Sequence, residues 1–381
     1  MLTAAIRLCP FSLSFLLLLF MPYPTIFINP VLPKRPRRSV LVIYTGGTFG
    51  MVYDQKTDQL IPFDFAQALD RLPDLNRLDF AITLVTLPEI LDSSNMKPAV
   101  WVELAQLIRA EYDRYDSFVI LHGTDTMAYT ASALSFMLDG LSKPVILTGA
   151  QLPLGAARTD ARENFITALE IAAAEEAGRP VVPEVCVYFN ARLLRGNRST
   201  KQESVQFNAF ASENYPALAT AGVTIEYNYP FIAPYQPDRP LRLRTTLDPN
   251  VTILKLFPGI TPAVVDATLR IPNLRGVVLE TFGAGNAPTD AWFLDTLRAA
   301  IDRGVVLFNV SQCEGGRVTQ GRYQTSKHLG EIGVINGADI TTEAAITKLM
   351  VVLAEETDPV CLRTRLARSL AGDMSDQPGE S

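Results

Sequence analysis

From Arg38 onward the chain alternates between short apolar runs and amphipathic stretches. Runs at 39–44 (SVLVIY), 80–86, 117–122, 144–148 and 184–189 are rich in β-branched residues and short enough for buried strands. Between them, 64–71, 98–112, 127–139 and 162–177 carry helical spacing; in 98–112, Trp101, Leu104, Ala105 and Ile108 fall at i, i+3, i+4 and i+7 and make one face. A Pro-, Tyr- and Asn-rich stretch around 213–250 breaks the rhythm and reads as a linker with a short hairpin. Alternation then resumes with strands at 251–257, 275–281 and 304–310 and helices at 262–270, 289–303 and 341–356. Strand–helix alternation predicts βαβ units, so the fold class is α/β: a larger, mostly parallel N-terminal sheet domain and a smaller C-terminal α/β domain. The expected boundaries are a leader outside the fold at 1–37, a domain at 38–222, a linker at 223–250, a second domain at 251–370 and a loose polar tail at 371–381.

Composition narrows the function classes. The 381 residues allow roughly two domains. A net charge of −6 offers no electrostatic footprint for nucleic acid. The charge is also uneven: residues 1–38 hold five basic residues and no acid, leaving 29 basic against 40 acidic residues in the body. Cys9, Cys186, Cys313 and Cys361 are widely spaced without a CxxC pair and read as reduced thiols, mostly structural. With two histidines, His122 and His328, and no HExxH, no metal site is expected.

The first 33 residues contain the apolar run Phe11–Phe20, bracketed by prolines and followed by the basic cluster KRPRR. It is short and Pro-interrupted for a spanning helix, and it has neither a strong basic start nor an A-x-A site for export. Membrane anchor, poor export signal and added extension all remain open readings; the body itself is expected to be cytoplasmic.

Two strings carry the chemistry: Tyr-Thr-Gly-Gly-Thr at 44–48 and His-Gly-Thr-Asp-Thr at 122–126. Each begins where an apolar strand stops, and open parallel sheets bind ligands beyond the carboxyl ends of their strands. Thr48 and Thr124 are thereby set on one edge, with Asp125 beside them. Gly46 and Gly47 permit close backbone approach and bare N–H donors for an oxyanion. The string fits neither GxGxxG nor GxxxxGK[ST]. A strand-end carboxylate needs a cationic partner, and a substrate ammonium suits Asp125. His122, directly after its apolar strand, reads as a hydrogen-bonded structural histidine. Lys201, in RGNRSTK at 195–201, can act as base if desolvated beside a threonine. Ser93 and Ser94, in Asp92-Ser-Ser-Asn-Met96, can hold a substrate carboxylate at a helix start. Taken singly, each of these residues also fits a turn or helix-cap role.

Together the strings resemble the bacterial-type L-asparaginase family, specifically its type I, cytoplasmic-like branch. The matching pieces are TGGT at 45–48, DSSNM at 92–96, HGTDTM at 122–127, GAQLPLGAARTDARENF at 149–165, RGNRSTK at 195–201, GNAP at 285–288 and SQC at 311–313. They run in family order over about residues 38–360. The resemblance implies a two-domain asparaginase-like fold that hydrolyses L-asparagine to L-aspartate and ammonia without a cofactor. It implies Thr48 as the nucleophile that forms an acyl-enzyme. Thr124, Asp125 and Lys201 become the set that activates the attack or the water. Asp125 also takes the substrate α-amino group, and Asp92, Ser93 and Ser94 hold the α-carboxylate. Family members assemble as dimers of tight dimers, so a homodimer or homotetramer is implied.

Two positions depart from the family pattern. A lid tyrosine normally precedes an Ile-Pro pair, but Leu60 precedes Ile61-Pro62 here, which leaves Tyr53 as the lid candidate. Ser311 and Cys313 match the Thr-x-Cys element of an effector site for asparagine, but Glu280 stands where an arginine is expected. A carboxylate there repels an effector carboxylate, so the site is expected to be vestigial. The rivals are a glutaminase of the amidotransferase type, which carries an extra N-terminal β domain, a lysophospholipase relative with ankyrin repeats, and a non-catalytic amino-acid-binding module.

Overall fold

The computed structural model describes residues 23–28, 36–54, 59–62, 72–319 and 324–375. The expected helix at 64–71, and Cys9 with the Phe11–Phe20 run, lie outside these residues. Among the described residues no helix is long and apolar enough to cross a membrane.

The larger sheet has nine strands and is mixed. Its centre is parallel: Ala81–Leu91, Ser39–Gly46, Ser117–Leu121, Val145–Thr148 and Val185–Phe189 lie side by side in that order. Both faces of these strands are covered, which is why they read as unbroken apolar runs. Alternate residues feed opposite cores. Leu41, Ile43, Phe118 and Ile120 pack with helices Pro98–Glu111 and Met127–Met137. Val40, Val42, Val119 and Leu121 pack with helix Ala161–Ala173. The Met127–Met137 helix is apolar on nearly every side because the sheet covers one face and helix Thr342–Glu355 of the second domain covers another.

The smaller sheet is fully parallel, in the order Val251–Lys255, Gly276–Thr281, Val306–Ser311, Ile335–Asn336. Helices Pro262–Leu269 and Ala291–Asp302 close its far face through Val265, Leu269, Phe293 and Leu297.

Three expectations need correction. The leader is not wholly outside the fold: Thr25–Phe27 adds an antiparallel edge strand beside Thr83–Val85. Alternation of Ile26 and Ile28 toward the core is too short a pattern to stand out among the prolines. The linker does not begin at 223, because Ile225–Tyr227 pairs with Ala219–Ala221 and extends the large sheet as its last strand. The tail is not loose from 371: Asp373 and Met374 are buried, and residues 369–375 fold back onto both domains. Polar composition hid this, because the burial comes from hydrogen bonding rather than apolar packing.

Candidate active site

Parallel pairing aligns the carboxyl ends of four central strands, and backbone contact then draws their loops together. A β-bulge between Tyr44 and Gly46 bends the first strand as it ends, and Gly47 N–H donates to Leu91 O at 3.2 Å. Gly47 has φ of +84°, and a Cβ on it would lie 2.5 Å from the Cα of Gly123. A Cβ on Gly123 would lie 2.5 Å from Ser93 Oγ. Only bare backbone fits at this junction, so the glycines of TGGT and HGTDT allow three loops to converge. Thr48 and Thr124 each directly follow one of the touching glycines. Thr126 Oγ1 donates to Ser93 O at 2.8 Å and ties the Asp92–Asn95 turn to the same point. On its other side Thr48 is followed by Phe49, buried edge-on against Phe165 with ring centroids 5.4 Å apart.

Lys201 arrives from far along the chain. It lies on the two-residue strand Thr200–Lys201, paired with Phe210–Ala211. Its Nζ donates to Thr124 Oγ1 at 2.8 Å and to Asp125 Oδ1 at 2.7 Å. The lysine side chain is 16% exposed and that of Asp125 63% exposed. Water therefore screens the pair, which sets geometry more than it adds stability. Thr124 Oγ1 in turn donates to Gln151 Oε1 at 3.2 Å. The structure thus brings Thr124, Asp125 and Lys201 into direct contact, and the glycine junction draws Thr48 and Ser93 to them.

Asp92 and Ser94 are exposed, and Asp92 Oδ1 accepts from the N–H and the hydroxyl of Ser94 at 2.9 and 2.8 Å. These two bonds hold the Asp92 carboxyl below its usual range. His122 is structural. Gly123 O, which can only accept, lies 2.6 Å from Nδ1, so Nδ1 carries the hydrogen and donates to it. Nε2 of the neutral ring then accepts from Thr130 Oγ1 at 2.9 Å, and Thr130 Oγ1 accepts from Trp101 Nε1 at 3.0 Å. Burial lowers the imidazole to about 4, leaving it neutral beneath the cleft.

Tyr53 lies on the Met51–Asp54 strand opposite Leu60 of Gln59–Pro62, so the two residues named in the lid comparison are cross-strand partners. Glu280, Ser311 and Cys313 line one cavity of about 260 Å³, together with Lys255, Thr342 and Glu343. Glu280 Oε1 accepts from Thr342 Oγ1 at 2.7 Å, and Oε2 lies 3.4 Å from Lys255 Nζ. Ser311 Oγ donates to Gly283 O and accepts from Cys313 N–H. Of the described cysteines only Cys186 is buried, and burial pushes its thiol well up; Cys313 and Cys361 are exposed.

Two supporting residues carried no assigned role in the sequence reading, although both lie in the 149–165 string. Gln151 accepts from Thr124 and donates to Gln206 O. Asp160 accepts from the N–H groups of Gln151 and Leu152 at 3.0–3.1 Å and so holds Gln151 in place. A carboxylate at a helix start is the signal that could have found Asp160.

A mixed sheet with a smaller parallel-sheet domain, and a threonine–carboxylate–lysine set beyond the strand ends, is an arrangement shared with a class of amidohydrolases. Residues 39–233 match the family model for the N-terminal domain of asparaginase, and residues 250–365 match that of the glutaminase/asparaginase C-terminal domain. This chain belongs to the asparaginase family. It is 42% identical over 340 residues to L-asparaginase 1 of Escherichia coli (strain K12), covering 89% of this chain and 98% of that one. The crystal structure of L-asparaginase I from Vibrio cholerae superposes with a TM-score of 0.81 at 38% identity, covering 89% of this chain and 99% of the other. The thermostable L-asparaginase from Thermococcus kodakarensis gives 0.80 at 33% identity, covering 89% and 100%.

Proposed function

We propose that this protein hydrolyses L-asparagine to L-aspartate and ammonia through a threonine acyl-enzyme. The observation that carries the reading is Lys201 Nζ within 2.8 Å of Thr124 Oγ1 and 2.7 Å of Asp125 Oδ1, beside the junction that bears Thr48. In this reading Thr48 Oγ attacks the side-chain amide carbon, and its proton passes to the Thr124–Lys201 pair. Backbone N–H groups of the glycine turn face the developing oxyanion. The C–N bond breaks as the same pair returns a proton to the leaving nitrogen, which departs as ammonia. Water then adds to the acyl carbon, gives up its proton along the same route, and Thr48 leaves with its hydrogen restored.

Asp125 receives the substrate α-ammonium, a role its exposure leaves open. An ionised Asp92 repels a second carboxylate, so it shapes the turn while the α-carboxylate is met by the Ser93 hydroxyl and by that of Ser94 once it turns from Asp92 Oδ1 to the ligand. Tyr53 serves as the lid phenol, and the active assembly is a homodimer or homotetramer in the cytoplasm.

The test is ammonia release by purified protein given L-asparagine, L-glutamine or D-asparagine, with Thr48→Ala alongside. Asparagine is expected to turn over fastest, and only with Thr48 present. Faster turnover of glutamine overturns the substrate assignment, and binding without ammonia favours an amino-acid-binding module.

A further inference from the structure

Residues 369–375 form a strap whose contacts end three residues upstream of Lys201. The strap is built around Asp373, which is fully buried. Its Oδ1 accepts from the N–H groups of Leu370 and Ala371 at 2.7 and 3.1 Å and from Ser369 Oγ at 3.2 Å. Its Oδ2 meets Lys348 Nζ at 2.8 Å, and both side chains have no solvent exposure. Lys348 also donates to the carbonyls of Leu366 and Arg368 at 3.0 and 2.6 Å, which closes the end of helix Pro359–Ala367 over the pair. Burial opposes charge on Asp373, yet the ammonium and these donors hold its carboxyl below its usual range. A buried pair this fully satisfied gives the turn one geometry.

That turn faces the loop carrying the catalytic lysine. Ala371 O accepts from Asn197 Nδ2 at 2.9 Å, and Gly372 O accepts from Arg198 Nε at 2.8 Å. Gly372 has φ of +74°, and a Cβ on it would lie 2.5 Å from Arg195 Nη1. Arg198 also pairs with Asp339 at 3.1 Å, and Asp339 accepts from Ser375 N–H at 2.7 Å. Asn197 and Arg198 are both buried, so these bonds are shielded from water. The strand that bears Lys201 is only two residues long and cannot hold itself in register.

We infer that the 369–375 strap positions Lys201, with Asp373 and Lys348 as its anchor and Asn197 and Arg198 as its grip. The inference rests on Lys201 acting in the cleft. Among the described residues the strap's hydrogen bonds reach Asn197, Arg198 and Asp339 and not Thr48 or the Asp92–Ser94 turn, so its loss is expected to act on turnover more than on substrate capture.

The experiment is a cycle of four full-length or shortened chains: wild type, Lys201→Met, a chain ending after Leu370, and that shortened chain with Lys201→Met. Each is checked for folding by circular dichroism and assayed for ammonia release from asparagine. Lys201→Met in the full chain is expected to lower kcat about 10²–10⁴-fold. Ending the chain after Leu370 is expected to lower kcat at least about tenfold with KM within about threefold, and Lys201→Met then costs less than about tenfold more, because coupled residues are not additive. An equal cost of Lys201→Met in both chains overturns the strap's role. No cost in the full chain overturns instead the catalytic reading of Lys201. A chain ending after Ser375 retains every strap bond among the described residues and is expected to keep full turnover; a loss there overturns the assignment to 371–375. Should the shorter chain not fold, the same cycle on Arg198→Lys decides, because that change keeps the charge opposite Asp339 and withdraws the Nε–H donor to Gly372.

Discussion

The cleft of the large domain and the cavity of the small one occupy equivalent positions and differ in charge. Both lie beyond the carboxyl ends of parallel strands, the cleft past Gly46 and Leu121, the cavity past Thr281 and Ser311. They even share a two-residue strand. Successive side chains of a strand point to opposite faces, so Lys201 enters the cleft while Thr200 donates to Glu343 Oε1 at 2.5 Å at the cavity. In the cleft an amine meets a hydroxyl and one carboxylate. In the cavity three carboxylates, Glu280, Glu314 and Glu343, share the lining with a single lysine, Lys255, that is 66% exposed. Burial pushes Glu343 up, and burial with Glu343 and Glu280 nearby pushes the Tyr129 phenol to about 12. The same topological position thus carries an amine–hydroxyl–carboxylate set beyond the large sheet, where we propose proton transfer, and a carboxylate-rich lining beyond the small one.

Experiments on each side sharpen this contrast. Thr48→Ala is expected to give the largest effect, a loss of kcat of about 10³-fold or more with asparagine binding retained, read by steady-state ammonia release and by calorimetric titration. Near-normal turnover in that variant would erase the distinction between cleft and cavity. Beneath the cleft, His122 has an ordinary value of 6.5 when unfolded and about 4 when folded. The unfolded chain binds the extra proton between these values. Stability from this group is therefore complete above about pH 6.5, falls as pH is lowered toward about 4, and is level below, a swing on the order of 3 kcal/mol. Urea melts at pH 7 and 4.5 should show a smaller difference in His122→Gln than in the wild type; equal differences contradict a neutral buried imidazole.

Thr200→Val removes the link from strand to cavity without touching Lys201 directly, and is expected to lower kcat about threefold, the scale of one lost hydrogen bond. An effect as large as that of Lys201→Met would show that the cavity wall is part of the catalytic site. Smallest of all is the effect expected from the cavity itself: initial rates should be hyperbolic in asparagine, with a Hill coefficient of about 1. Clear sigmoidicity would mean that Glu280 does not exclude an effector carboxylate.

Central strands and cleft threonines were legible because they rest on local signals. Unbroken apolar runs mark doubly covered strands, and the glycines at 46, 47 and 123 mark where backbone meets backbone. The Thr25–Phe27 strand was missed, and the short hairpin expected in 213–250 was not assigned to the large sheet, because edge strands carry few buried residues and no continuous run. Gln151 and Asp160 lie within a matching string, yet their task follows from bonds to Thr124 and to Gln151 that no spacing reveals.

By itself, the sequence determined the α/β alternation, the strand ends where chemistry gathers, and the hydroxyls, acid and amine available there. Those are properties of neighbours in the chain, set by side-chain periodicity and glycine. Tertiary structure alone decided that Lys201 meets Thr124 across 77 positions and that residues 371–375 are held fast. It also gathered Glu280 and Glu343 around one cavity. Such pairings depend on where packed elements bring distant segments, and the buried polar bonds that secure them leave no hydrophobic trace in the chain.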